Sequence, residues 1–212
     1  MKEALRPEAL GPLLYVTPEE VPVRDLVRRA IESARGGVSA VILRRKTSTA
    51  WEFSELVRHF RDNVPRGLPW LVNRRMDYAL EGGASGLHLP ESHPPLLRIR
   101  QWLSEGFLVG VSVHSQAAAE EAVRDGADYL IAGPVFDTPS KRPFGPPLGL
   151  ARLGEIVRSV RVPVFAIGGI GPDEAPEVRS AGAAGMVVMG ALSYAPDPVA
   201  AAYALRKAWV RG

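Results

Sequence analysis

Residues 162–192 read VPVFAIGGIGPDEAPEVRSAGAAGMVVMGAL, and the order of apolar and glycine-rich pieces in this stretch decides the fold. The apolar run 162–167 stops at Gly168-Gly169, and a second run, 186–189, stops at Gly190. Between them lie Pro172 and Asp173, then a helix-like segment up to Ala181 and Gly182. Short apolar runs bounded by glycine and separated by one amphipathic segment predict strand, helix, strand in a parallel sheet. Glycines that end two neighbouring strands leave backbone N–H groups uncovered, and a helix N-terminus close by adds positive potential. Gly168, Gly169, Met189 and Gly190 are therefore the expected phosphate-binding positions. Barrels built from βα units often carry such a site after their last two strands.

The same alternation runs back through the chain. After a loose opening, strand patterns fall at 13–16, 38–43, 68–72, 86–89, 107–113 and 129–132. Helical patterns separate them at 23–34, 52–60, 77–81, from Pro94 or Pro95 to about 104, 117–124 and 150–160, with a last one at 197–210. Gly36-Gly37-Val38, Gly83 to Leu87, Gly126 to Tyr129 and Gly182 to Met186 each mark a helix ending just before a strand. Joints repeated at the spacing of one βα unit point to a repeated building block. About eight strands, each followed by a helix, predict an α/β (β/α)₈ TIM barrel. It is expected as a single domain over 1–212, with the barrel proper at about 13–211; an open doubly wound sheet is the rival.

Composition narrows the setting. A chain of 212 residues with 46% hydrophobic content can bury one substantial core. With no cysteine it has neither a disulfide framework nor a thiolate metal site, which fits a reducing cytoplasm. Its opening lacks the apolar run of a secretory signal, and its apolar runs are too short to span a bilayer. A net charge of +3, with no basic block interleaved with aromatics, argues against nucleic acid. Lysine occurs only at Lys2, Lys46, Lys141 and Lys207. Oligomeric state is not encoded in any pattern, and a homo-oligomer stays open.

In a barrel, residues just past the C-terminal end of each strand face the active site. That filter returns Thr17, Arg44, Lys46, Asn73, Arg74, Glu91, Ser112, His114, Thr138, Ser140 and Lys141 besides the three glycines. Two of the four lysines fall in this set with Arg44 and Arg74, which suits an anionic ligand, since charge-assisted bonds to phosphate are the stronger kind. The plain alternative is that Arg and Lys populate loops anyway. Among the histidines, His59 reads as a solvated helix residue and His88 as a satisfied core histidine inside strand four. His93 divides between surface and site, and His114 has the best position for proton transfer near neutral pH. No two have metal-ligand spacing. Asp137 is placed to pair with Arg142 or Lys141.

With Arg44 and Lys46, the Asn73 turn, GLHL, GVSVH, GPVFDTPSK and AIGGI in order, the chain resembles the thiamine phosphate synthase/TenI family from about residue 13 to 199. The resemblance implies a (β/α)₈ barrel of thiamine biosynthesis with a phosphorylated small-molecule substrate and no nucleic-acid or membrane partner. Synthases of the family join a pyrimidine pyrophosphate to a thiazole phosphate, with magnesium on the pyrophosphate. TenI-type relatives aromatise a thiazole phosphate carboxylate tautomer. Carried over by position, Arg44, Lys46, Asn73, Ser112, Thr138, Ser140 and Lys141 are implied substrate contacts, and Gly168, Gly169 and Gly190 the phosphate loops.

The metal side departs from the family pattern. Asn-Asp-Arg becomes Asn73-Arg74-Arg75, Gly-Gln-Glu-Asp becomes Pro90-Glu91-Ser92-His93, and a glutamine becomes Ile42. Magnesium needs carboxylate or phosphate oxygens, and Arg74 would repel it. The first expectation is accordingly a TenI-like thiazole tautomerase, an isomerase without metal or cofactor, in which Arg44, Lys46 or Arg74 grips the carboxylate. The TenI acid/base histidine aligns with Pro134, so His114, His93 or Glu91 is the candidate base. Two alternatives stand beside it: a divergent synthase, where magnesium would return or Arg74 replace it, and a non-catalytic binder of thiamine or thiazole phosphate.

Overall fold

The structure, a computed structural model, describes residues 5–138, 142 and 145–211. Among them eight parallel strands pair in chain order and close: β1 (Leu13–Val16), β2 (Ala40–Leu43), β3 (Trp70–Asn73), β4 (Gly86–Leu89), β5 (Leu108–Val113), β6 (Tyr129–Ala132), β7 (Val164–Ile167) and β8 (Gly185–Val188). Pairing of Leu14 with Val187 returns β8 to β1, which makes a (β/α)₈ barrel and excludes an open sheet. The surrounding helices are α1 (Val23–Arg35), α2 (Ala50–Asn63), α3 (Met76–Glu81), α4 (Leu96–Arg100), α5 (Gln116–Arg124), α6 (Gly149–Ser159), α7 (Ala175–Ser180), α8 (Gly190–Ser193) and α9 (Pro198–Arg211).

Element boundaries move by a few residues from the sequence pattern, and α4 ends earlier than expected. One shift has a plain cause. The Thr49 side chain accepts from the Glu52 N–H while the Glu52 carboxylate accepts from the Thr49 N–H, so this capping box starts α2 at Ala50 rather than 52. Two short elements were not expected at all: a 3₁₀ turn at Pro7–Leu10 and the four-residue α8.

Side-chain alternation divides the core into two layers. Outward residues such as Leu13, Val41, Val72, Val109 and Met186 pack under the helices. Inward residues Leu14, Ile42, Leu71, Leu108, Tyr129, Ile131, Phe165 and Val187 fill the barrel, and Leu10 joins them from the end where the strands begin. Leu10, in the "loose" opening, thus plugs the barrel floor. Inside, the Tyr129 ring lies over Gly110, where a Cβ would come within 2.0 Å of the ring, and meets Phe165 edge-on at 5.9 Å.

Candidate active site

Parallel strands bring all their C-terminal ends to one rim, so the predicted positions can be followed around it. At β2 and β3 the rim is cationic. The Thr17 hydroxyl accepts from the Arg44 N–H at 2.8 Å and donates to the Arg44 carbonyl at 3.2 Å, locking the backbone from which the guanidinium projects. Arg44 is partly buried and lies 3.7 Å from Glu19. Burial lowers its pKa, Glu19 opposes this, and nearby Arg74 lowers it further. Burial alone would raise Glu19, but hydrogen bonds from Thr47 and Lys46 and the Arg44 charge hold its carboxyl below the usual range.

The turn after β3 is tight. Arg75 N–H reaches back to the Asn73 carbonyl at 2.8 Å, and Met76 N–H to the Arg74 carbonyl at 3.1 Å. Bonds spanning two residues are γ-turns, and Arg74 at φ 66° is the only non-glycine in the left-handed region among the described residues. Such a conformation costs about 1–2 kcal/mol for an L-residue and concentrates at functional positions. Arg74 is exposed at the rim, whereas Arg75 turns away, over the Tyr78 ring at 4.3 Å and near Asp77 at 3.6 Å. Lys46 is exposed in the loop after β2.

Beneath this rim the floor is neutral. His88 is buried, with Nδ1 at 3.2 Å from the Tyr129 hydroxyl and Nε2 at 2.9 Å from Ser112 Oγ. Burial drives its pKa down to about 3, so it is an uncharged core histidine. Ser112, half-buried, is the upper end of the chain, and Asn73 pairs with His88 in register. The three candidate bases are bound to backbone instead. Glu91 accepts from the His114 N–H at 2.9 Å; His114 Nδ1 meets the Gly133 carbonyl; His93 Nδ1 meets the Pro94 carbonyl at 2.7 Å. His114 is among the residues that line a cavity of about 230 Å³ with Leu148, Arg152 and Glu155, between α5 and α6.

The glycine pole sits at β7 and β8, neighbours in the sheet. Val135 N–H donates to the Ile167 carbonyl at 2.8 Å and Phe136 N–H to the Gly168 carbonyl at 3.0 Å, so the loop after β6 lies directly on the β7 turn. A Cβ on Gly168 would come 2.6 Å from Pro134, and one on Gly169 2.7 Å from Phe136; both glycines have positive φ, 104° and 70°. Next to them Met189 and Gly190 open α8 without a side-chain cap, which leaves first-turn N–H groups to other partners. Thr138 is half-buried in the loop after β6, and Asp137 is paired with Arg142 at 2.6 Å. Ser140 and Lys141 lie outside the described residues.

The rim therefore brings together Arg44, Arg74, Asn73, Ser112 and the glycine turns, and the His114 ring lies on the Gly133 carbonyl just past β6. Sequence reasoning missed the Thr17 clamp and the role of Tyr129. A threonine just past β1 was visible by position, but nothing in its neighbours announced its partner.

A family model described as thiamine monophosphate synthase (TMP-TENI) matches residues 13–192. The chain belongs to this family. The putative thiamine-phosphate synthase of Geobacter sulfurreducens is 42% identical over 183 residues, which cover 86% of each chain. The thiamine-phosphate synthase of Syntrophomonas wolfei is 36% identical over 189 residues, 89% of this chain and 90% of that one. Among solved structures, a thiamine phosphate pyrophosphorylase from Pyrococcus furiosus superposes with a TM-score of 0.85 at 33% identity, covering 96% of this chain and 98% of that one.

These relatives overturn the tautomerase expectation. The two sequence relatives are named as synthases and the solved structure as a pyrophosphorylase, which are transferases and not isomerases. The expectation rested on a few positions near the metal subsite, and similarity spread over most of the chain outweighs them. No helix of the described residues is long and apolar enough to cross a membrane.

Proposed function

We propose that the protein is a thiamine-phosphate synthase, a transferase that couples hydroxymethylpyrimidine pyrophosphate to thiazole phosphate and releases pyrophosphate. One observation carries this beyond the family name. Two separate anion-friendly poles, the arginines at β2–β3 and the glycine turns at β7–β8, share one mouth above an uncharged floor. A reaction joining two phosphorylated substrates needs two such poles.

On this reading the N–H groups beside Gly168, Gly169, Met189 and Gly190 hold the thiazole phosphate, with Thr138, Ser140 and Lys141 closing over it. Arg44, Arg74, Asn73 and Lys46 hold the pyrophosphate. As the thiazole nitrogen bonds to the methylene carbon of the pyrimidine substrate, that carbon's bond to the pyrophosphate oxygen breaks, and fixed guanidinium charges stabilise the departing anion. Holding both partners in one mouth converts a two-body encounter into an oriented step. Such substrates and a cysteine-free chain fit the cytoplasm.

Residues at the family's magnesium position do not fit the ion. Among the described residues no three acidic or histidine side chains gather. Glu91 is occupied by the His114 N–H, Asp77 faces Arg75, and Arg74 carries a positive charge at the rim. Hard cations need oxygen ligands, so the arginines take the charge-neutralising role and no step here depends on a protein-held metal.

The test is formation of thiamine phosphate, followed by mass spectrometry, from both substrates and purified protein, with and without a metal chelator. Product in both conditions supports the assignment. Absence of product without chelator removes the synthase reading, and loss of product only with chelator removes the role given to Arg74.

A further inference from the structure

The lumen of the barrel holds a polar chain that the proposed roles do not use. Tyr129 is fully buried, and among the described residues its hydroxyl has one hydrogen-bond partner, His88 Nδ1 at 3.2 Å. The other ring nitrogen, Nε2, lies 2.9 Å from Ser112 Oγ. Gly110 on β5 makes room for this, because any Cβ there would strike the Tyr129 ring. The geometry leaves two tautomers. If Nδ1 carried the proton, the phenol O–H would be a buried donor without an acceptor, which costs about 1–3 kcal/mol. If Nε2 carries it, every group is satisfied: the phenol donates to Nδ1, and Nε2–H donates to Ser112 Oγ.

We propose that Tyr129 and His88 are positioning residues that fix Ser112 as a hydrogen-bond donor to the substrate. With its oxygen already accepting from His88, the Ser112 hydroxyl has its proton free for an acceptor atom in the mouth. The acceptor is a phosphoryl oxygen of the pyrimidine substrate, one that gains negative charge as pyrophosphate departs. Burial of His88 keeps the relay uncharged, so it orients a proton without transferring one. The inference rests on the transferase reading for its kinetic consequence but not for its structural one.

The experiment reads the two separately. Protein labelled with ¹⁵N-histidine is examined by NMR without substrate, and the His88 signals are assigned by their contacts to the Tyr129 ring. Protonated Nε2 with unprotonated Nδ1 is expected; the opposite tautomer overturns the inference, whether or not the protein turns over. Tyr129→Phe is then expected to give mixed tautomers and to lower kcat about tenfold, while KM for both substrates changes less than about twofold, as for an interaction realised in the transition state. Combined with Ser112→Ala it should add little. A folded Tyr129→Phe variant that keeps wild-type kcat overturns the inference. If that variant does not fold, the wild-type tautomer still decides. A wild type with the expected tautomer and no turnover counts against the transferase reading alone.

Discussion

Gly110 and Tyr129 face each other across the β5–β6 pair so closely that a Cβ on the glycine would lie 2.0 Å from the ring. The ring cannot retreat, because it packs edge-on against Phe165 and its hydroxyl is held by His88. Gly110→Ala should therefore destabilise the protein by about 3 kcal/mol, the upper end for overpacked cores, read as a lower midpoint in urea. Replacing Tyr129 by Leu in the same chain should recover part of that loss.

Stability should also depend on pH through His88. Its folded-state pKa, about 3, lies below the ordinary 6.5, so between these values the unfolded chain binds a proton that the folded one refuses. Stability is then complete above pH 6.5 and falls as pH drops towards 3. This one group contributes a slope of about 1.4 kcal/mol per pH unit. Denaturant curves at pH 4, 5, 6 and 7 should show the slope in the wild type and a flatter dependence in His88→Gln.

Arg74 should show opposite effects on stability and function. Its φ of 66° suits glycine better than arginine. Arg74→Gly should stabilise the fold by about 1 kcal/mol, strain relief outweighing the flexibility gained in the unfolded chain. The same change removes a cation from the mouth, and KM for the pyrimidine pyrophosphate should rise about tenfold, the scale of one charge-assisted hydrogen bond. Thermal melts and initial rates check both directions.

Gly169→Ala tests the other pole. Positive φ and a Cβ only 2.7 Å from Phe136 and 3.0 Å from the Asp137 carbonyl force the turn to shift. KM for thiazole phosphate should rise about tenfold, while KM for the pyrimidine substrate stays near the wild-type value. Equal changes in both would show that the poles are not separate.

The barrel could be read from the sequence because its signal is repeated: glycine joints before β2, β4, β6 and β8 mark one building block several times over. His88 could be placed in the interior because strand alternation governs residues within β4. That rule lapses past a strand end, so the parity His114 shares with Ser112 does not aim its ring; the Gly133 carbonyl, just past β6, holds it. Leu10 and α8 escaped notice for a related reason: one apolar residue, or four residues without a cap, form no period. The Thr17–Arg44 clamp joins residues 27 apart, and only the β1–β2 pairing brings them together. Local pattern identified the scaffold, whereas long-range contacts set the chemistry. The choice between isomerase and transferase turned on similarity across the whole chain, which a handful of site positions could not outweigh.

The most direct test is pyrophosphate release by the purified protein given each substrate alone and then both. Release only when both are present, mole for mole with thiamine phosphate, is the expected result. No release with both substrates, or equal release from the pyrimidine pyrophosphate alone, would contradict the account.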